Sequence, residues 1–542
     1  MKSIRQAATS VRRAGTRALL LEFGALETVL AAHQQLSRKP LPGQEDLVAA
    51  ARTVMIRFSS SAALTAGRDL LDRMPLPERQ HGEAREVTID VVYDGEDLPE
   101  VAEALGMGVQ ELVEWHTSRI WTGSFGGFAP GFTYCVPASG AMQIPRRSSP
   151  RTAVPPGSVA LAGEFSAVYP RRSPGGWQLI GRTGAAMWDL ARESPALVRP
   201  GDTVRYRAVE HLPPPGEPDP ASELPSPDGA ALTVVSPGVQ TLVQDFGRPG
   251  LSDLGVSRAG VADEAAAAQA NRLVGNAKQA PVLETLMGGL TLRADQTLVL
   301  GASGAEVQLS ITGRSGPRTA PVSAPFVLLE GETLTLGMPL RGLRTVVAVR
   351  GGIEAAPVLG SASSDTMSGL GPAPLQADQP LRISSPKGLT PVGGPERPTL
   401  FIPDTAGRAV LRFTYGPRED WFGAAERTRL HSQDWQVTAE ADRIGIRLAP
   451  DPADPEARSL RRAKHEELPS EGVPRGSLQV PPEGSPVLFL NDHPVTAGYP
   501  VIGVVVPEDL SAAAQLGPGD TVALQPVNPD TLAPTDSLEA RP

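Results

Sequence analysis

Apolar residues follow a helical spacing in the first part of the chain and a strand-like spacing in most of the rest. Within residues 1–110 the clearest helical runs are Leu26–Leu36 and Leu98–Leu112. Two runs rich in β-branched residues, Thr53–Phe58 and Val87–Tyr93, lie between them. Helical and extended segments that alternate in this way favour a small α+β domain, which we predict over residues 1–110.

From Trp121 onward, short β-branched runs are separated by Pro and Gly, as at Ser158–Ala162. This spacing is typical of strands joined by turns, so the chain is predicted to be mainly β. Residues 211–230 are Pro-rich and acidic without apolar periodicity, which indicates a linker. Within the second β-rich unit we expect an Ala-rich helix over 262–277, and we expect a tail over 529–542.

Three pairs of segments repeat one another in the same order. They are Val154-Pro-Pro-Gly-Ser-Val-Ala-Leu161 with Val480-Pro-Pro-Glu-Gly-Ser-Pro-Val-Leu488, Gly175-Gly-Trp-Gln-Leu-Ile-Gly181 with Ala497-Gly-Tyr-Pro-Val-Ile-Gly503, and Pro200-Gly-Asp-Thr-Val204 with Pro518-Gly-Asp-Thr-Val522. A Pro-Gly turn before a strand is common by itself. Three matches in one order favour a duplicated barrel-type module, and paired modules would leave a cleft between them.

Composition narrows the class of protein. Cys135 is the only cysteine, so the sequence has no disulfide framework and no Cys-based metal site, and we expect a cytoplasmic location. The formal net charge of −10 argues against a nucleic-acid partner. No apolar run reaches the ~18–20 residues that a membrane span needs, so no membrane association is expected.

Specific motifs lie in the first half, between residues 85 and 210. They are Phe128-Ala-Pro-Gly-Phe-Thr-Tyr134, Pro145-Arg-Arg-Ser-Ser-Pro-Arg151, Val154-Pro-Pro-Gly-Ser158, Ser173-Pro-Gly-Gly-Trp177 and Gly181-Arg-Thr183. Together they resemble the family of 5-oxoprolinase B subunits, also called allophanate hydrolase subunit 1 or the sporulation kinase inhibitor type.

A second set of motifs covers most of residues 232–527. It includes Val243-Gln-Asp-Phe-Gly-Arg248, Gly255-Val-Ser-Arg-Ala-Gly260, Asn271-Arg-Leu-Val-Gly-Asn276, Val349-Arg-Gly-Gly352, Asp442-Arg-Ile-Gly445, Gln479-Val-Pro481 and Gly498-Tyr-Pro500. These resemble the partner family, the 5-oxoprolinase C subunits, also called allophanate hydrolase subunit 2. One departure is Ser361-Ala-Ser-Ser364, where the family pattern has an arginine after the first serine.

The resemblance implies cyclophilin-like β-barrels. We therefore expect a barrel like that of the B subunits over 111–210 and two barrels, over 231–395 and 396–528, in a half like the C subunits. The family activity is ATP-dependent opening of 5-oxo-L-proline to L-glutamate. It implies ATP with Mg²⁺, a small amide substrate and, as partner, a separate 5-oxoprolinase A subunit. The sequence leaves open whether the chain also forms a homo-oligomer.

Four residues of the first half are candidates for this chemistry. Arg146, Arg151 and Arg182 could hold a phosphate or carboxylate with two hydrogen bonds each. The alternative is that these loop arginines form structural ion pairs. His116, at a predicted helix end, could act in acid–base catalysis, although a structural role is the more common one for a single histidine.

The candidates of the second half lie on the motifs shared with the C subunits. They are Asp245 and Arg248 as catalytic residues, and Gln244, Asn271, Arg350, Asp492 and Tyr499 as binding residues. Asp245 could orient Arg248, and Arg350 precedes two glycines that permit close approach of a ligand. Tyr499 matches Trp177 in the repeat, as a core residue or as a wall of a shared cleft. No metal site is predicted.

Two other functions remain open at the level of sequence. A carboxyltransferase-like component for urea or a related amide would need a biotin carrier on another protein, because the chain lacks an Ala-Met-Lys-Met acceptor segment. A regulatory protein of the kinase-inhibitor type would not need the second half. The sequence has no Gly-x-x-x-x-Gly-Lys-Ser/Thr loop, so a nucleotide site would not be of the P-loop kind.

Overall fold

The computed structural model describes residues 2–79, 85–147, 149, 151–212, 229–314, 316–384, 388–400 and 407–535. Most of the predicted linker, residues 213–228, and the last part of the predicted tail, residues 536–542, lie outside this range. Residues 529–535 are described and turn back on the last barrel, where Val527 pairs with Pro534. Within the described ranges, no helix combines the length and apolar character needed to cross a membrane.

The chain opens with a small α+β domain. Its elements are α1 (Ile4–Ala7), β1 (Ser10–Arg13), β2 (Ala18–Glu22), α2 (Leu26–Arg38), β3 (Gln44–Ala49), β4 (Thr53–Phe58) and α3 (Ser61–Leu71). The strands form an antiparallel sheet in the order β1-β2-β4-β3. Helix α2 buries Val29, Ala32 and Leu36 in the domain core, and the Ser60 hydroxyl caps α3.

The first barrel follows. Its elements are β5 (Glu86–Val91), α4 (Leu98–Ala104), α5 (Val109–Ser118), β6 (Trp121–Gly126), β7 (Thr133–Pro137), β8 (Arg151–Val154), β9 (Ser158–Ala162), β10 (Phe165–Val168), β11 (Ser173–Gly175), β12 (Gln178–Arg182) and β13 (Thr203–Ala208). Seven strands pair in the order β12-β9-β10-β7-β6-β13-β5. A bridge between Val92 and Arg182 brings the two edges together.

The predicted boundary at residue 110 is too late. Strand β5 pairs in parallel with β13 along its full length, from Glu86 opposite Thr203 to Val91 opposite Ala208. Helices α4 and α5 bury Leu98, Val101 and Leu112 in the same core as the barrel strands. These elements therefore belong to the first barrel, and the α+β domain ends before them.

The middle unit is a two-sheet sandwich, not the predicted barrel. Its elements are β14 (Leu232–Pro237), β15 (Gln240–Gln244), α6 (Glu264–Leu273), β16 (Val282–Leu286), β17 (Leu290–Ala294), β18 (Leu298–Glu306), β19 (Leu309–Thr312), β20 (Arg318–Ala320), β21 (Pro325–Leu328), β22 (Thr333–Leu336), β23 (Arg341–Val349) and β24 (Pro380–Leu381). The sheets β20-β19-β22-β17-β14-β24 and β15-β16-β23-β18-β21 share one hydrophobic core. The Ala-rich helix predicted over 262–277 is α6.

The last barrel is closed. Its elements are β25 (Ala409–Tyr415), α7 (Ala424–Ser432), β26 (Trp435–Val437), β27 (Gly445–Pro450), β28 (Glu471–Gly472), β29 (Ser477–Gln479), β30 (Val487–Phe489), β31 (Thr496–Ala497), β32 (Val501–Val505), α8 (Leu510–Ala513) and β33 (Thr521–Pro526). Its strand order is β25-β32-β29-β30-β27-β26-β33, with β25 and β33 parallel. The mainly β fold class and the related halves are confirmed.

The two barrels match strand for strand. Each begins with a strand that runs parallel to the strand at the end of the barrel, and each has a helix directly before the next strand. The indole N–H of Trp121 donates to the His116 carbonyl at 3.0 Å, and that of Trp435 donates to the Leu430 carbonyl at 2.9 Å. The structure thus repeats the same local contact at equivalent positions.

One of the three predicted sequence repeats is in the wrong register. Strand β9 corresponds to β29, so Val154-Pro-Pro-Gly-Ser158 matches Val473-Pro-Arg-Gly-Ser477 and not the segment at 480. In each turn the serine hydroxyl donates to the proline carbonyl, at 2.8 Å from Ser158 to Pro155 and 2.7 Å from Ser477 to Pro474. The glycine of each turn has a positive φ, a backbone conformation that glycine adopts more readily than residues with a side chain.

Candidate functional site

The first and last barrels meet around a cleft. The Tyr134 hydroxyl lies 3.3 Å from the Ser470 hydroxyl and 3.2 Å from the Thr496 hydroxyl, and the Phe128 N–H donates to Thr496 at 2.8 Å. Beside these contacts is a cavity of about 490 Å³. Small-molecule sites typically have volumes of roughly 300–1,000 Å³, so the cleft suits a small ligand.

Both barrels contribute aromatic and apolar walls. The lining includes Phe128, Phe132, Tyr134, Tyr169 and Trp177 from the first barrel, and Ile444, Pro481, Val487, Phe489 and Tyr499 from the last. The Phe132 ring packs edge-on against Tyr169 and Trp177, with ring centres 5.2 and 5.4 Å apart. Such packing fixes the wall before a ligand binds.

Arg146 reaches from the first barrel onto the last barrel at the cleft wall. Its guanidinium donates to the Ser470 hydroxyl at 3.0 Å and to the carbonyls of Leu468 and Gly498 at 3.4 and 3.5 Å. The absence of a side chain at Gly498 leaves room for it. None of the described carboxylates forms a salt bridge with Arg146, so its positive charge is available to an anionic group in the cleft.

Tyr499 forms a wall of the cleft, which is one of its two predicted roles. It lies in the loop before β32, and Trp177 lies at the matching position before β12. The ring of Tyr499 is half-buried and stacks under Arg462, with the guanidinium carbon 5.3 Å from the ring centre. Burial raises the pKa of Tyr499, while Arg146 and Arg462 oppose this shift. Its hydroxyl therefore stays protonated at neutral pH and can donate a hydrogen bond.

Arg151 is placed in a buried ion pair instead of the cleft. Its guanidinium contacts Asp97 at 2.7 Å and Glu96 at 2.7 Å. At the equivalent position of the last barrel lies Glu471, which pairs with Arg418 at 2.6 Å. Because the pair recurs with the charges exchanged, it serves to fix the backbone in both barrels.

His116 and Arg182 also lie away from the cleft. His116 is fully buried, and its ring nitrogens lie 2.7 Å from the Tyr93 hydroxyl and 2.9 Å from the Ser166 hydroxyl. Burial lowers the pKa of His116 to about 3, which keeps the ring neutral. Arg182 forms an exposed ion pair with Asp94 at 2.8 Å. Neither residue lines the cavity.

The loop at residues 358–364 of the sandwich is held by hydrogen bonds with Gln244, Asp245 and Arg248. The Asp245 carboxylate accepts hydrogen bonds from the Ser361 hydroxyl at 2.6 Å, the Ser363 hydroxyl at 2.5 Å and the Ala362 N–H at 2.8 Å. Gln244 donates to the Ser364 carbonyl, and Arg248 to the carbonyls of Val358 and Ser363. The serine-rich segment that departs from the family pattern is thus held by Asp245.

Asn271 and Arg350 stabilise the C-terminal end of α6. Asn271 donates to the carbonyls of Lys278 and Ala280 at 3.1 and 2.9 Å. Arg350 donates to the carbonyls of Val274 and Thr390 at 2.7 and 2.9 Å. Since each of these bonds satisfies a backbone carbonyl, the structure assigns both side chains a local structural role.

Asp492 belongs to a buried ionic network between the sandwich and the last barrel. Its carboxylate accepts from Arg443 at 3.0 and 3.1 Å and from the Thr366 hydroxyl at 2.7 Å. Arg443 also pairs with Glu284 of β16. The network joins the two units of the second half but does not face the cleft.

The structure therefore brings Arg146 and Tyr499 together and separates them from the other nine candidates. It adds Arg462 and Trp177, which sequence reasoning did not select as site residues. A correct alignment of the repeats would have indicated Arg462. Ile144 and Leu460 make the same backbone bond, to Gly163 and Gly484, and an arginine follows two residues after each.

Matches to two family models show that this protein, with its paired barrels and sandwich unit, belongs to the carboxyltransferase-domain class. The family model for carboxyltransferase domain subdomains C and D matches residues 9–198, and the model for subdomains A and B matches residues 254–526. The chain belongs to the family of the 5-oxoprolinase C subunits, and its first half is similar to the 5-oxoprolinase B subunits.

Individual relatives agree with this assignment. The chain is 31% identical to the 5-oxoprolinase C subunit of Escherichia coli K12 over 315 residues, which are 57% of this chain and 94% of that protein. It is 45% identical to the 5-oxoprolinase B subunit of Escherichia coli O157:H7 over 127 residues, 23% of this chain and 58% of that protein. The crystal structure of TTHA0988 superposes with a TM-score of 0.80 at 36% identity, over 94% of this chain and 99% of that one.

Proposed function

We propose that the chain is the fused B–C component of an ATP-dependent 5-oxoprolinase, which converts 5-oxo-L-proline to L-glutamate with a separate A subunit. The observation that carries this proposal is the cleft shared by the two halves. Its aromatic walls suit a small cyclic amide, and Arg146 at the wall suits the carboxylate of that amide.

The chemistry needs a group that activates a poor electrophile. Transfer of the terminal phosphoryl group of ATP to the lactam oxygen forms a P–O bond there and breaks the bond to ADP. Water then adds to the activated carbon, the C–N bond breaks with the proton going to nitrogen, and a further water releases phosphate. Positive charge and positioned donors are the main requirements for such a transfer, and Arg146 and Tyr499 supply both at the cleft.

The test is glutamate release from 5-oxoproline and ATP by the purified chain, with and without an A subunit from the same organism. Glutamate is expected only when both proteins and ATP are present. Absence of glutamate with a folded chain and a competent A subunit would overturn the proposal.

A pair of variants locates the reaction in the cleft. Arg146→Met should lower kcat/KM for 5-oxoproline by about 10²-fold, since it removes the charged contact at the wall. Arg293→Met is the matched control, because this arginine lies on the exposed face of the sandwich and pairs with Asp295. Equal activity of the two variants would place the reaction elsewhere.

Carboxyl transfer is the second candidate, favoured by the matched carboxyltransferase models. It would need a biotinylated carrier protein. Carrier-dependent carboxylation of urea or a related amide by this chain, without glutamate release, would select this function instead.

A further inference from the structure

A second cavity of about 900 Å³ adjoins the cleft. It lies between the Arg146-Arg147 turn of the first barrel and the segment 458–468 of the last barrel. Arg146, Gly498, Tyr499 and Glu483 line both cavities. The two spaces therefore share one wall, and a ligand in one would lie beside a ligand in the other.

The walls of this cavity carry more cationic than anionic side chains. Its cationic side chains are Arg146, Arg147, Arg458, Arg461, Arg462 and Lys464, and its carboxylates are Glu466, Glu467 and Glu483. Two of the cations have their charge matched, since Arg147 pairs with Asp97 at 2.6 Å and Lys464 with Asp420 at 2.7 Å. The other four cationic side chains still outnumber the three carboxylates of the cavity.

The guanidinium groups of three arginines of the cavity contact only uncharged acceptors. The guanidinium of Arg146 donates to one hydroxyl and two carbonyls. Arg458 donates to the carbonyls of Pro455 and Ala457 at 2.7 and 2.8 Å. Arg462 donates to the Val480 carbonyl at 2.7 Å. Over the described part of the chain, no carboxylate lies within salt-bridge distance of these three guanidinium groups.

Arg462 carries the clearest sign of a missing partner. Its Nε atom is buried and has no hydrogen-bond acceptor among the described residues. Burial lowers the pKa of Arg462, and the more distant Glu483 and Tyr499 offset this shift only in part. A buried donor without an acceptor is costly, so an anionic ligand that accepts from this atom would be favoured.

The duplication explains how the cations converge. Arg146 and Arg462 follow equivalent residues, Ile144 and Leu460, whose N–H groups donate to Gly163 and Gly484 at 2.9 Å each. Each barrel thus delivers the arginine at this equivalent position to the same cavity, next to Tyr499. Guanidinium pairs around a common space match the oxygen geometry of phosphate groups.

We propose that this basic cavity binds the phosphate chain of a nucleotide, with Arg462 and Arg146 as its main ligands. The identification of that nucleotide as ATP rests on the proposed function. The terminal phosphate would lie at the wall shared with the cleft, next to Arg146 and Tyr499, where the amide is expected.

The test is direct binding to the purified chain by titration calorimetry, without the A subunit and without 5-oxoproline. ATP and inorganic tripolyphosphate should bind with similar affinity, and AMP at least tenfold more weakly. Arg462→Met should weaken ATP and tripolyphosphate by at least tenfold, and Arg293→Met should leave both unchanged. Tight binding of AMP, or an unchanged affinity in Arg462→Met, would overturn the proposal.

A second variant covers the case in which Arg462→Met does not fold. Arg458 is exposed at the rim, so Arg458→Met should fold normally and still weaken tripolyphosphate by about threefold or more. Unchanged tripolyphosphate binding in this variant would also count against the site.

The binding assay separates this inference from the proposed function. Glutamate formation with normal nucleotide binding in Arg462→Met would leave the function standing and remove the site. Loss of nucleotide binding in Arg462→Met, without any glutamate formation by the native chain, would establish the site and remove the function.

Discussion

The first and last barrels share a strand order but differ in their buried polar groups. Asp97 and Arg151 pair in the first barrel, and Arg418 and Glu471 take the same positions in the last with the charges exchanged. The proline–serine turn and the tryptophan–helix contact are kept in both. The backbone geometry of the module is therefore maintained by local hydrogen bonds, whereas the sign of each buried charge can change as long as its partner changes too.

The aromatic residues that line the cleft, in contrast, are alike in the two barrels. Trp177 and Tyr499 are aromatic in both copies, and Tyr169 corresponds to Phe489, since Gly157 and Gly476 donate to their carbonyls at 2.7 and 2.9 Å. Aromatic walls are thus common to both barrels. The polar groups that could distinguish substrate from nucleotide are concentrated on the arginine-bearing loops that follow Ile144 and Leu460.

The largest expected effect comes from breaking the ion pair of the last barrel. Glu471 is almost fully buried, and burial raises its pKa to about 6 despite Arg418. Arg418→Met should lower the free energy of unfolding by about 3–5 kcal/mol at pH 7.5, because a buried charge loses its partner. The deficit should shrink below pH 6, where Glu471 is protonated. Denaturant unfolding at both pH values measures it.

Its counterpart in the first barrel provides the comparison. Arg151→Met should cost less, since Asp97 retains Arg147 at 2.6 Å and the Leu179 N–H at 2.7 Å. Equal losses in the two variants would contradict this expectation, because they would show that Arg147 and the Leu179 N–H do not compensate for the loss of Arg151.

The second effect concerns His116, which lies at the position equivalent to Leu430 of the last barrel. His116→Leu introduces the side chain found at Leu430 and leaves the Tyr93 hydroxyl without its partner. The free energy of unfolding should fall by about 1–3 kcal/mol at pH 7.5.

The pH dependence of His116→Leu should change as well. The folded-state pKa of His116 is about 3, below its usual value, so the native protein loses stability as the pH falls below 6.5 and the unfolded chain takes up a proton. This contribution, up to about 1.4 kcal/mol per pH unit, should vanish in the variant. His211→Leu is an exposed control and should keep the native slope.

A smaller effect is expected at the wall shared by the cleft and the basic cavity. A methyl group at Gly498 would overlap the Arg146 guanidinium, whose flexible end can move away. Gly498→Ala should therefore leave the fold intact and raise the KM for 5-oxoproline by about tenfold, equivalent to about 1.4 kcal/mol. Gly24→Ala, with open space around the added carbon, should have no effect on steady-state kinetics.

The smallest effect should be the same in both barrels. Ser158→Ala and Ser477→Ala each remove one hydroxyl–carbonyl bond in equivalent turns, and each should cost about 1 kcal/mol in chemical unfolding. A difference of more than about 1 kcal/mol between the two would argue against equivalent turns.

The sequence alone indicated the β-rich halves and the repeat at Gly175 and Ala497, because glycine and proline mark these turns locally. It could not show that β5 pairs with β13, since the other strands of the first barrel lie between these two strands in the sequence and no local pattern links them. Apolar and polar residues also alternate in the same way in the strands of the sandwich and of the barrels, so this pattern could not distinguish the two architectures. Arg146 was found through its motif, whereas Arg462 lies in a segment whose position depends on the correct register of the repeat.

The packing of the α+β domain has a consequence for the chain connection at residues 213–228. The outer face of its sheet, with Leu20, Val48 and Met55, packs on Val495 of the last barrel, and Glu22 accepts a hydrogen bond from Arg418 at 2.8 Å. The α+β domain therefore binds the last barrel through its own side-chain contacts. A nick within residues 213–228 should therefore leave the two pieces associated, like two separate proteins of one complex.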